Sequence, residues 1–241
     1  MIKFFRKIRQ QLLTENKFSK YLLYAIGEIV LVVIGILIAL SINNWNESRK
    51  QANNLNYIYT SIITDLKRDN QEVDAIIKEF LEKKITIDKI LNGTQDRESY
   101  INCLPCQKLL IGFADLSLQI RGNNLLNNYL SANTGEKDSL NGKISNFYTK
   151  NILELGIDQS FLSQDCVGNY NYWKNTYTWW SDYINDIPND DFIEYSLNSA
   201  DYKNRISTFK YVAYELYIPK LELFKRESQN LIIQLEEKIK S

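Results

Sequence analysis

The sequence predicts an all-α protein. One N-terminal transmembrane helix continues into an elongated helical bundle, whose first and last helices are long and antiparallel. Three observations carry that reading. Helix breakers are scarce, with 9 Gly and 3 Pro in 241 residues. Apolar residues recur at spacings of three and four at both ends of the chain, the mark of amphipathic helices. No segment alternates convincingly as a strand, and turn signals flanked by alternating apolar residues are few.

The elements follow in order. Residues 1–20 form a cytoplasmic basic leader, in which Lys3, Arg6, Lys7, Arg9, Lys17 and Lys20 face Glu15 alone. At helical spacing Phe4, Phe5, Ile8 and Leu12 share one side and Lys3, Arg6 and Lys7 the other. That pattern reads as a short helix lying on an anionic leaflet; a disordered basic tail is the alternative.

Residues 21–42 form the transmembrane helix. At about 1.5 Å per residue, residues 22–42 cover roughly the 30 Å hydrocarbon core. Tyr21 and Tyr24 lie near one end and Trp45 just past the other, where interfacial aromatics belong. A cleaved signal peptide competes, with Ala39 to Ser41 as the cleavage site. The apolar run exceeds the usual h-region of about 7–15 residues, which favours an uncleaved anchor. The basic leader sets the direction: the N-terminus in the cytoplasm of a bacterium, the inner membrane crossed once, and residues 43–241 in the periplasm.

Glu28 interrupts the apolar text. A carboxylate there costs a few kcal/mol, less than at the midplane. On a helical wheel Ala25, Glu28, Val32, Gly35, Ala39 and Asn43 fall on one narrow stripe. Gly35 and Ala39 form a small-xxx-small pair that lets two backbones approach. One polar group on a small-residue face predicts a helix–helix contact, with a second copy or with another membrane protein. The alternative is a tolerated Glu reaching toward the headgroups.

Residues 43–241 read as an all-α domain. From Asn53 the apolar positions run Leu55, Tyr59, Ile62, Leu66, Val73, Ile76, Phe80, Ile87 and Leu91, and Asn92-Gly93 is a C-terminal stop. Nothing between Ile42 and Asn53 breaks a helix, so the membrane helix runs into this one. Shorter helices are expected over 105–120, over 125–131, and from Ser139, after a start signal at Asp138, to 184. The last of these breaks near Gly156 or Gly168. Residues 185–191 form a loop. The final helix carries Tyr202, Ile206, Phe209, Val212, Leu216, Leu223, Leu231, Leu235 and Ile239, and is kinked or interrupted at Pro219. Two long helices at the ends of one domain predict the antiparallel pair.

The composition excludes much chemistry. With no His, the chain builds no Ser-His-Asp triad, no Cys-His nucleophile pair and no His-ligated zinc or haem. Lys+Arg and Asp+Glu are both 29, so no basic surface awaits nucleic acid. The Gly and Lys of 133–139 lack P-loop spacing. No cofactor and no metal are expected.

Three places remain. Cys103-Leu104-Pro105-Cys106 opens a predicted helix, where a helix N-terminus lowers a thiol pKa. A thioredoxin-like motif follows a strand, and none is predicted, so a plain disulfide of an oxidising compartment is the leading reading. Cys166 is expected to be buried and inert, or paired with Cys103 or Cys106. Around the aromatics of 170–183, Trp173, Tyr177, Trp180 and Ile184 share a core face. Tyr172 and Trp179 fall on another side, where exposure would let them stack on a sugar or a partner. Asp190, Asp191 and Glu194 suit a helix cap better than a hydrolase pair.

Residues 1–50, with their basic leader, "YAIGEIVLVVIGILIAL" span and "NNWNE" exit, closely resemble an uncharacterised single-pass inner-membrane protein family of flavobacteria, a domain of unknown function. Over 127–151 the likeness is looser, through a Tyr-x-x-Leu-x-x-x-Gly pattern followed by a Tyr-rich helix. The resemblance implies location and topology and no activity. The expected function is therefore a membrane-anchored, non-enzymatic scaffold, sensor or accessory subunit. Its partners are the lipid bilayer and, through the Glu28 face, its own copies or another membrane protein. The alternative is a tethered thiol–disulfide oxidoreductase, with Cys103 as nucleophile and Cys106 as resolving thiol.

Overall fold

The computed structural model describes residues 18–133 and 139–240, with side chains from residue 22 onward. The leader, the 134–138 segment and the start signal at Asp138 lie outside the described residues. The described residues are helical and contain no strand. The chain divides into two compact units between Asn56 and Tyr57. Helix α1, Phe18–Leu91, runs unbroken through the boundary.

In the first unit, α1 is the only described element. Its stretch from Leu22 is long and apolar enough to cross a membrane, and none of its apolar window is buried within the chain. A helix apolar on all sides with nothing packed on it would expose its whole surface to water.

The second unit is a helical bundle. From Tyr57 on, α1 buries Tyr59, Ile62, Leu66, Val73, Ile76, Phe80 and Ile87, the face that its spacing predicts. It ends where Asn92-Gly93 stops it. Gly93 is left-handed at φ 68°, its N–H donates to Ile90 O at 3.1 Å, and Thr94 N–H donates to Lys89 O at 2.9 Å. That pair of bonds is a Schellman cap, which a Cβ at Gly93 would strain.

Short helices α2 (Arg97–Ile101) and α3 (Leu104–Gln107) follow, then α4 (Arg121–Ala132) and α5 (Ser139–Thr176). Beyond them lie α6 (Trp180–Ile184), α7 (Asp190–Asn198), α8 (Ala200–Tyr211), a π-helical turn (Val212–Tyr217) and α9 (Ile218–Lys240). The last helices run antiparallel to α1. Lys67 meets Glu236 at 2.8 Å, Asp74 meets Lys225, and Asp88 meets Lys210 at 2.6 Å, so partner numbers fall as α1 numbers rise.

Four expectations are corrected. The interruption near the C-terminus is not a kink at Pro219 but the π turn just before it. Buried positions Phe209, Ala213, Tyr217 and Leu221 recur every four residues, wider than the α-helical 3.6, and the π turn absorbs the excess. Val212, Leu216 and Leu223 are consequently only half-buried. Pro219 follows the π turn by two residues and brings no N–H to the continuous helical ladder.

Helix α5 does not break at Gly156 or Gly168. Its buried side, with Ile144, Tyr148, Leu155, Leu162, Cys166 and Trp173, is continuous, and that packing outweighs roughly 1 kcal/mol of propensity per glycine. It stops instead at Thr176, ahead of the buried Trp179.

The cap of α7 is Asn189, whose Oδ1 accepts from the N–H groups of Asp191 and Phe192, and not Asp190 or Asp191. Those two carboxylates lie in its first turn, where they favour the helix dipole.

Over 105–120 the chain is not helical beyond Gln107, and residues 112–120 run as an irregular strap along α1. Its N–H groups are taken from outside. Ser117 N–H donates to Glu72 at 3.4 Å, Gln119 N–H to both Asp69 oxygens at 3.1 and 3.3 Å, and Gly122 N–H to Asp65 at 2.7 Å. Leu116 N–H donates to the Tyr217 hydroxyl at 3.1 Å. Asp65, Asp69 and Glu72 lie at i, i+4 and i+7, one face of α1, and so serve one strap. At Gly122 the backbones nearly touch: a Cβ there would lie 2.7 Å from Ile62 N and 2.8 Å from Ile62 Cα.

Candidate functional site

The apolar stretch of α1 carries the first candidate. Among its stripe residues Ala25 and Glu28 are half-exposed, and Val32, Gly35, Ala39 and Asn43 are exposed. A Cβ built on Gly35 meets nothing within 4 Å. Helical geometry thus brings the six residues to one face that the described residues leave exposed or half-exposed.

The second candidate is the Cys103–Cys106 loop. The two sulfurs are bonded to each other, so Cys166 pairs with neither. Cys166 is free and buried, and burial pushes its thiol up to about 12. A thiol so poor in thiolate is inert at neutral pH. Both bonded cysteines are half-exposed, and the Thr86 hydroxyl lies 3.4 Å from Cys106 Sγ. Pro105 lies in the first turn of the four-residue α3, a helix too short to present a developed dipole.

Beside the loop lies a cleft of about 210 Å³ lined by Asn102, Leu104, Lys108, Asp186 and Phe192, among others. Lys108 is fully occupied there. Its ammonium stands 4.0 Å from the centre of the Tyr183 ring, donates to the Tyr183 carbonyl and pairs with Asp186 at 2.9 Å. Asp186 itself is left-handed at φ 59° and closes α6, with Ile187 N–H donating to Asp182 O at 2.9 Å. These groups tie the loop to α6 and leave no charged group directed at a ligand.

The aromatic candidates separate. Trp179 is only 4 % exposed, which corrects its assignment as a ligand platform. The helix ends at Thr176, so Trp179 does not continue the helical wheel. It folds back onto Tyr177, ring centres 4.7 Å apart and nearly parallel, and onto Phe192 at 5.0 Å. Tyr172 is 37 % exposed, but the Arg205 guanidinium lies 3.9 Å from its ring centre and covers one face. That Arg205 is itself held by Asp201 and Asn169, both at 2.9 Å. Of the carboxylates, Asp190 pairs with Arg97 at 2.7 Å, and Arg97 lies 3.8 Å from Glu194. Among the described residues no group of three or more acidic or sulfur ligands is arranged to hold a metal.

Sequence reasoning missed one set of chemically active groups, the carboxylates under the strap. Asp69 is fully buried. Burial pushes its carboxyl up to about 7, aided by the charges of Asp65 and Glu72 and opposed by the Gln119 N–H and Arg68. The i, i+4, i+7 spacing of Asp65, Asp69 and Glu72 along one face of an amphipathic helix was the available signal.

Neither the comparison with curated proteins nor that with solved structures returns a match. Residues 28–100, from Glu28 to Tyr100, match the family model described as "Family of unknown function (DUF6090)", in agreement with the resemblance carried by the first fifty residues.

Proposed function

We propose that the chain is a single-pass membrane protein without enzymatic activity, a scaffold, sensor or accessory subunit. The leader lies in the cytoplasm and residues 43–241 in the periplasm of a bacterium. The face formed by Ala25, Glu28, Val32, Gly35, Ala39 and Asn43 contacts another membrane helix, from a second copy or a different protein. One observation carries this reading: an apolar helix long enough to span a bilayer, uncovered by the rest of the chain, holds a single carboxylate on a small-residue face.

Cross-linking in native membranes tests it. Wild type is expected to yield a specific adduct, with itself or with one membrane protein, and Glu28→Leu to lose it. Identical adducts in both samples would make the carboxylate a passenger and defeat the proposal.

The half-exposed Cys103–Cys106 bond keeps thiol–disulfide exchange as the second reading. A reduction potential below about −300 mV marks the bond as structural, while one in the range of known oxidoreductases favours exchange.

A further inference from the structure

Helix α5 has an outer face that the bundle leaves open. Ile152, Leu153, Ile157 and Phe161 project from it around Gly156 and Ser160, over a shallow trough of about 640 Å³. Leu153 is 64 % exposed, Phe161 50 % and, two turns further on, Val167 53 %. No charged residue lies in this stripe. Of the charges that flank it, Lys143 is engaged with Gln234 at 3.0 Å, Lys150 with Glu227 at 2.7 Å and Asp158 with Lys220 at 2.9 Å, while Glu154 lies at its edge, half-exposed.

The glycines add a second observation. Gly142, Gly156 and Gly168 all sit inside α5, and a Cβ at any of them would meet nothing within 4 Å. Each costs up to about 1 kcal/mol of helix stability relative to Ala. The protomer gains nothing in return, since no neighbour approaches them. At Gly122, by contrast, the bare backbone admits Ile62. Bare backbone beside exposed Leu and Ile suits a partner helix at close range, and a lipid surface has no use for it.

We propose that this uncharged face of α5 docks a second copy of the chain, with the two helices crossing closest at Gly156 and Ser160. An isologous contact sets a patch against itself, so any charge on it would meet its like across the axis. A charge-free stripe escapes that repulsion. A foreign partner is selected by complementary charge, and the stripe offers none. The area fits as well. At roughly 200 Å² per fully exposed large side chain, the five apolar residues supply on the order of 500 Å². That is the larger part of the roughly 800 Å² per partner of a stable complex, and the small residues along the trough contribute the rest. The inference stands on the Tyr57–Ser241 unit alone and does not require the Glu28 contact.

The full chain in native membranes tests it. Gly156→Cys and Ser160→Cys, made singly, are expected to give a covalent dimer on mild oxidation, and Asn204→Cys, exposed on α8, none. The dimer is expected to persist in a Glu28→Leu background, which separates this interface from the membrane-helix contact. Leu153→Lys combined with Ile157→Lys should lower the Ser160→Cys dimer at least about tenfold. Both changes lie on exposed positions, so the melting temperature should hold. Gly156→Ala should hold or raise the melting temperature while weakening the cross-link. Absence of dimer at both cysteines would overturn the proposal. So would adducts only with a different protein, or thiols shielded from a water-soluble maleimide without any cross-link, which would indicate lipid.

Discussion

Trp173→Ala is expected to be the most damaging single change in the Tyr57–Ser241 unit, with a loss of about 3–5 kcal/mol. Trp173 is fully buried. Its indole N–H donates to the Tyr195 hydroxyl at 2.9 Å, and that hydroxyl donates to Asp201. Its ring stacks on Tyr202 at 6.0 Å and meets Trp179, Tyr183, Phe192 and Tyr195 edge-on at 5.5 to 6.2 Å. One side chain therefore joins α5, α6, α7 and α8. Truncation leaves a cavity that five large rings cannot fill without leaving their rotamers. For a unit of this size each kcal/mol moves the melting temperature by roughly 2–4 °C, so a fall near 10 °C is expected. Trp45→Ala, at an indole 64 % exposed, serves as the control and should leave it unchanged. Equal melting of wild type and Trp173→Ala would contradict the assignment of Trp173 as the keystone of this cluster.

Asp69 makes stability depend on pH in the direction opposite to an ordinary surface carboxylate. Burial pushes its carboxyl up to about 7 in the folded protein, against 3.8 for an unperturbed aspartate. Between those values the folded state holds a proton that the unfolded state has released. Stability therefore falls as pH rises. The contribution is fully present below about pH 4 and is lost as pH passes through about 7. Melting temperature is expected to drop by several degrees from about pH 5 to about pH 8, and Asp69→Asn should flatten that drop. Asn keeps an oxygen for the Gln119 N–H and cannot ionise. Asp165, also raised by burial, acts in the same sense in both proteins, so the difference between them reports Asp69. Parallel pH profiles would show that the strap contact is insensitive to charge.

The long helices were legible because their spacing is local. Tyr59, Ile62, Leu66 and Phe80 declare one face of α1 over about six turns of text, and Asn92-Gly93 declares its end. What escaped depends on contacts distant in sequence. The strap over 112–120 is held out of a helix because Asp69, Glu72 and Tyr217 take its N–H groups, and no residue of the strap announces them. Its alternating Leu116, Leu118 and Ile120 were the one local hint. The π turn resisted a helical wheel because a wheel assumes one period, whereas the buried positions from Phe209 to Leu221 follow another. At the candidate site, the Glu28 stripe follows from helical arithmetic alone. The burial of Trp179 depends on the chain reversal after Thr176, which brings it against Phe192.

In the proposed topology the chain crosses the membrane once, with its N-terminus inside. Single cysteines at Ser19 and Ser48 report it, in cells whose outer membrane has been opened, with a membrane-impermeant maleimide. Ser48→Cys is expected to label in intact cells and Ser19→Cys only after lysis, and the full-length chain to stay in the carbonate-washed membrane. Labelling of Ser19→Cys before lysis, release of the chain by carbonate, or cleavage near Ala39 would contradict it.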